Sequence, residues 1–117
     1  MSNKNVTAEA IMKTITDKLN AKPEAAKNWG QSMNLVFSDV GYGYWIKFAM
    51  DGTVERVEKG NALALKKKGA VATVTTTTDT LQAILDGIIQ AMSAMYSGAI
   101  KVDGPIDAVM KLSPAFI

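Results

Sequence analysis

The sequence predicts an α+β fold, and three features of its apolar patterning carry the prediction. Apolar residues near the N-terminus recur at helical spacing, and residues 32–77 then switch to a period of two. The C-terminal third, residues 79–117, reads as apolar helix, glycine-bounded strand and apolar helix.

Thr7 is placed to cap the first helix, with Glu9 in a first turn whose dipole favours acidic groups. Ala8, Ile11, Met12, Ile15 and Leu19 form one amphipathic stripe that ends near Asn20. Pro23 can open a second short helix over 24–28, because its missing N–H is a donor that would be unpaired at a helix start anyway. Gly30 closes that helix. Met33, Leu35 and Phe37 alternate with polar positions in a first strand. The second strand places Tyr44, Ile46, Phe48 and Met50 on one face and Trp45, Lys47 and Ala49 on the other. Asp51-Gly52 supplies the positive φ angles of a tight hairpin turn. In the third strand, 53–59, Val54 and Val57 fall on opposite parities, which calls for a bulge or an edge position. Residues 61–69 match no element, and β-branched residues make 71–77 a fourth strand.

Asp79, with Gln82 three residues later, resembles a capping box at the start of a long apolar helix that Gly87 divides or kinks. Ser97-Gly98 breaks the pattern, and 99–102 is a short fifth strand. Pro105 suits the first position of a last helix, Asp103 and Asp107 suit its positive end, and Pro114 stops it near Ser113. The order is two helices, four strands, one or two helices, one strand and one helix. The threonine run 75–78 is best read as a strand end plus a cap.

Composition excludes several classes of function. With 117 residues the chain is expected to be one domain, 1–117, with a real core. A net charge of +2 offers no bulk attraction to nucleic acid. Without cysteine or histidine there is no disulfide framework, no thiolate or imidazole metal site and no Ser-His-Asp arrangement. Asp39, Asp51, Asp79, Asp86, Asp103 and Asp107 each have a turn, cap or surface role to fill, so neither an enzyme nor a cofactor protein is expected. Gly41-Tyr42-Gly43-Tyr44-Trp45 begins like a phosphate-cradling loop, but a strand follows it and no Lys-Ser or Lys-Thr pair is present. Met1-Ser2-Asn3-Lys4-Asn5 has no apolar signal core, and no run of about 18 apolar residues exists, so a cytoplasmic protein is expected.

What remains is an excess of apolar surface. Leu81, Ile84, Leu85, Ile88, Met92 and Met95 recur along the long helical stretch, and Ile106, Val109, Met110 and Phe116 follow the fifth strand. Ile88 and Ile89 are adjacent, about 100° apart on a helix, so the apolar surface is wide enough to need two layers to cover it. Three of the six methionines after Met1 fall in this third, and methionine adapts to irregular or variable surfaces. These ten residues, with Ile46 and Phe48 from the sheet, are expected to line a tunnel for an acyl chain or a similar lipid. The alternative is an interaction or dimerisation module that uses the same Met-rich surface. Lys66-Lys67-Lys68 could hold the phosphates of an acyl-coenzyme A or touch an anionic membrane, although a solvated loop is its ordinary reading.

The stretch Ala94-Met95-Tyr96-Ser97-Gly98-Ala99-Ile100-Lys101-Val102-Asp103-Gly104, followed by Ala108, Val109, Met110, Lys111 and Leu112, resembles the sterol carrier protein family of nonspecific lipid-transfer proteins. An N-terminal helix, a hairpin at Met50-Asp51-Gly52 and Ala72-Thr73-Val74-Thr75 leading into a helix match in order. The resemblance implies a five-stranded, mostly antiparallel sheet with helices packed on one face and an apolar tunnel between the layers, closed by the last helix. It also implies non-catalytic binding of fatty acids, fatty acyl-coenzyme A or sterols by a monomer or weak dimer, with transient membrane contact. The chain departs from the pattern at Ala99, where lysine is often found after the glycine. It also ends Pro114-Ala115-Phe116-Ile117 rather than in a peroxisomal Ser-Lys-Leu-type signal.

Overall fold

A computed structural model describes residues 4–116, with side chains from residue 7 onward. Met1, Ser2 and Asn3, expected to lack a signal core, and Ile117 lie outside the described residues. The first helix, α1 (Lys4–Ala21), buries Ala8, Ile11, Met12, Ile15 and Leu19. Thr7 is therefore inside the helix and not its cap, because no breaker stands between Lys4 and Thr7. Pro23 does start a turn, but a 3-10 turn that ends at Ala26, and Asn28 leaves it at φ 69°.

The five strands are β1 (Ser32–Phe37), β2 (Tyr42–Phe48), β3 (Val54–Asn61), β4 (Ala72–Thr76) and β5 (Lys101–Asp103). They form one sheet in the order β3-β2-β1-β4-β5. The β1–β4 pair is parallel and the other three pairs are antiparallel. On the inner face, Met33, Leu35 and Phe37 of β1 pack with Tyr44, Ile46 and Phe48 of β2 and Val74 of β4 beneath α1 and α3 (Thr78–Leu85). β3 satisfies both readings of its odd parity: it is an edge strand, and its pairing with β2 shifts between Lys47–Arg56 and Phe48–Val54. One extra residue, Glu55, returns Val54 and Val57 to the same face.

The β2–β3 turn differs from expectation. Pairing ends at Phe48, so Met50 leaves the sheet and is 60% exposed instead of sharing a face with Phe48. Only Gly52 has a positive φ, 94°, and a Cβ there would sit 1.8 Å from the Pro23 carbonyl oxygen. Asp51 instead accepts from the Thr53 amide at 2.9 Å and the Thr53 hydroxyl at 2.6 Å, bonds that hold its carboxyl below the usual carboxylate range. Residues 61–69 contain a short helix, α2 (Ala62–Lys66), capped by the Asn61 side chain on the Ala64 amide. It covers the outer face of β1, where the buried Asn34 amide donates to the Leu65 carbonyl at 3.1 Å and to Thr73 Oγ1 at 3.3 Å. This explains why all six residues of β1 are buried rather than alternate ones. Lys68, third in the lysine run, pairs with Glu58 and lies over the Trp45 ring at 4.7 Å.

α3 is capped by Thr77, whose hydroxyl accepts from the Thr80 amide at 3.1 Å, and not by Asp79. Thr77 is the residue that leaves β4 in an extended conformation, so the cap must fall there. Asp39, in the β1–β2 loop, anchors the same helix start by accepting from the Thr78 amide and hydroxyl. Gly87, at φ 77°, separates α3 from α4 (Ala91–Ser97). The last helix, α5 (Ile106–Met110), begins after Pro105, which is its cap and not its first residue. α5 also stops earlier than Pro114 would require. Successive bonds to the third preceding carbonyl, at Lys111, Leu112 and Ala115, tighten the chain into a 3-10 turn over Ser113–Phe116 that contains Pro114 and packs on α1.

Tyr44 sits on the inner face, 7% exposed, with its phenol oxygen buried and without a hydrogen-bond partner among the described residues. Burial foremost, then Tyr42 and Glu9 nearby, pushes its pKa from 10.0 up to about 12. The folded state then keeps a proton that the unfolded chain loses above pH 10, so stability is unaffected by this titration below that pH and falls as pH rises from 10 to 12. Tyr44→Phe should raise the unfolding free energy at pH 7 by about 1 kcal/mol, because it removes an unpaired buried hydroxyl. It should also flatten the loss of stability between pH 10 and 12. Urea titrations at pH 7 and pH 11 measure both effects.

Candidate functional site

An apolar cavity of about 150 Å³ lies between the C-terminal helices and the β1–β4 half of the sheet. Its floor is Leu35 of β1 and Val74 and Thr76 of β4. Leu81 of α3, Ala91, Met92 and Met95 of α4, and Ile100 form one wall. Val109 and Met110 of α5, with Leu112, Ser113 and Phe116, form the other. Strand alternation aims Leu35 and Val74 at the same side, and their register as direct partners in the parallel pair sets them next to each other. Met92 and Met110 are each 52% exposed, so they line the interior and form the rim as well.

Among the described residues no ionisable side chain lines the cavity. The Thr76 hydroxyl is already committed to the Ala99 carbonyl at 3.0 Å, which leaves Ser113 as the remaining hydroxyl-bearing residue of the lining. Such a site can exclude water and contact apolar matter. Among the described residues no group of three or more acidic side chains is arranged to hold a metal ion. No described helix is long and apolar enough to cross a membrane.

Of the twelve residues singled out in the sequence, the fold brings six to this cavity: Leu81, Met92, Met95, Val109, Met110 and Phe116. Ile46, Phe48 and Ile84 are buried in the main core, and Leu85 packs against it. Ile88 and Ile106 are outside, 76% and 50% exposed. The sheet contributes from β1 and β4 rather than from β2, because β2 lies one strand nearer the β3 edge. Leu35, Val74, Thr76, Ala91, Ile100, Leu112 and Ser113 line the cavity as well and were not among the twelve. Leu35 and Val74 carried the right alternation, but only the strand order shows which strand faces α4 and α5. Ala91 gives no apolar signal of its own and counts because its small side chain leaves space.

The signature of the SCP-2 sterol transfer family matches residues 9–116, and the chain belongs to that family. No curated protein matches it. Several solved structures share the fold. A sterol carrier protein 2 crystal structure is 22% identical, with a TM-score of 0.60, over 91% of this chain and 87% of that one. Sterol carrier protein-2 of Aedes aegypti, solved in complex with palmitate, is 19% identical with a TM-score of 0.63, over 97% of this chain and 94% of that one. A double mutant of the sec-alkyl sulfatase PisA1 is 19% identical with a TM-score of 0.72, over 92% of this chain. This chain spans only 16% of that sulfatase's length.

An apolar cavity of about this volume can hold a benzene-sized molecule. Benzene added to the protein should therefore shift the methyl resonances of Leu35, Val74 and Leu112 and raise the melting temperature. Leu112→Ala, at a fully buried lining position, should cost about 2–5 kcal/mol of stability in urea unfolding and should increase benzene uptake.

Proposed function

We propose that the protein is a non-catalytic lipid carrier, acting as a single domain, that takes one fatty-acyl chain or a comparably slender lipid into the cavity beneath α4 and α5. The observation that carries this reading is a lining without ionisable groups whose rim is made of two half-exposed methionines. The palmitate complex of the mosquito protein, which has the same fold, supports this choice of ligand class. Leu81, Met92, Met95, Val109, Met110 and Phe116 would contact the chain together with Leu35, Val74 and Leu112.

Energetics fit a carrier better than a selective receptor. Burying about 15 methylenes yields roughly 12 kcal/mol gross at ~0.8 kcal/mol each. Association costs on the order of 4–15 kcal/mol, so the net affinity is at best near micromolar. One methylene changes it by less than about 1 kcal/mol, which gives weak discrimination among chain lengths. A cavity of about 150 Å³ is too small for such a chain, so α4 and α5 must move outward on binding. Both are short, seven and five residues, and between them they carry the lining methionines Met92, Met95 and Met110. A void of this size costs on the order of 3–4 kcal/mol in a packed core, and a ligand would offset that cost. A bilayer is the natural source and acceptor of the cargo.

Native mass spectrometry of the purified protein should show one fatty acid or acyl ligand per chain, released by organic extraction. Met95→Asp/Met110→Asp should reduce binding of a fluorescent fatty acid at least about tenfold, since each substitution puts a charge against the apolar chain. A folded double variant with unchanged affinity would sink this lining.

A further inference from the structure

Around the cavity mouth the surface is unusually apolar. Ile88, Met92 and Tyr96 on the α4 side, and Ile106 and Met110 on α5, are each at least half exposed, and Ile88 and Tyr96 reach 76% and 84%. Met92 and Tyr96 are four residues apart on α4, and Ile106 and Met110 four apart on α5, so each pair lies along one helix face. The two faces share the cavity, because Met92 and Met110 both line it. Concentrated exposed apolar surface of this kind marks a contact site.

The charge pattern selects the partner. Residues 87–100 contain no charged side chain. Asp86, Asp103 and Asp107 are exposed around them, against Lys101 exposed and Lys111 half-buried. Four aspartates and two lysines give residues 79–117 a net charge of −2, although the whole chain is +2. A face that is uncharged at its centre and acidic around it is repelled by anionic headgroups, and the basic residues that would attract them lie elsewhere in the chain. Tyr96 adds a ring with an apolar body and a polar tip, the side-chain type favoured at the headgroup boundary.

We infer that Ile88, just before α4, and the Met92–Tyr96 face of α4, with Ile106 and Met110 of α5, dock onto the surface of an uncharged, zwitterionic bilayer and open the cavity directly toward it. The inference rests on the carrier reading for its purpose, but the docking surface stands on exposure and charge alone. A lipid passing from bilayer to cavity at this mouth would cross between Met92 and Met110 without exposing its chain to water.

The test is cosedimentation of the full chain with sucrose-loaded vesicles of dioleoylphosphatidylcholine, alone or with added dioleoylphosphatidylserine. Partitioning onto the phosphatidylcholine vesicles is expected, with no gain from phosphatidylserine. Ile88→Ser/Tyr96→Ser should weaken it about tenfold or more, since each change removes roughly a buried apolar side chain. Both positions lie outside the cavity lining, so binding of a fluorescent fatty acid in solution should be unchanged. Leu63→Ser, at a leucine on α2 across the sheet that is 67% exposed, should leave partitioning as it was. Full partitioning by the double variant, an equal loss in Leu63→Ser, or partitioning only with phosphatidylserine would overturn the docking surface. A concentration-dependent dimer that the double variant abolishes, with no vesicle binding, would overturn it in favour of a second copy. If vesicle binding responds as expected but no fatty acid binds in solution, the docking surface is supported and the carrier reading alone fails.

Discussion

The parallel pairing of β1 with β4 is the contact on which the rest of the structure depends. It joins the N-terminal half of the chain, which supplies β1, to the C-terminal half, which follows β4. Its register sets Leu35 beside Val74 and Phe37 beside Thr76, so one continuous apolar strip runs across the middle of the inner face. α1 packs against α3, and residues of both join the core cluster over that strip. The part nearest β5 is left to α4, α5 and the final 3-10 turn, and these short elements do not fill it.

The outer face shows the opposite solution. α2 closes over β1 tightly enough to bury Asn34, which it ties down through the Leu65 carbonyl. Lys68 fastens the residues just after α2 through Glu58 and the Trp45 ring. The sheet is thus rigidly backed on one side and loosely roofed at one end of the other. This asymmetry lets a small protein keep a stable core and still hold a cavity, because the void is confined to the region where the roof is two short helices bearing methionines.

Gly52 and Asp39 fasten the two turns that flank β2 to neighbouring elements. Gly52 lets the β2–β3 turn approach the backbone at Pro23 more closely than any side chain would allow. Asp39 ties the β1–β2 loop to the first turn of α3 through two hydrogen bonds. The two act at opposite ends of β2, Gly52 at the turn into β3 and Asp39 at the loop that enters from β1.

The stripes and alternations were legible in the sequence because they depend only on local periodicity. The buried face of α1, the five strands, the bulge or edge at β3 and the break at Gly87 all followed from spacing. The C-terminal residues also pointed to the family. Cap positions shifted by one to three residues because the chain's path into each helix, and not the capping residue type, decides where the helix begins, as Thr77 and Pro105 show. The sequence by itself determined that Leu81, Met92, Met95, Val109 and Met110 are apolar and at helical spacing, and that an apolar Phe116 follows them. It could not determine that Ile46 and Phe48 belong to the core while Leu35 and Val74 reach the cavity, because strand order is a nonlocal choice made by β1–β4 pairing. Nor could it place Ile88 and Ile106 outside: whether an apolar side chain is buried depends on what the fold sets against it, and that was decided only by the tertiary structure.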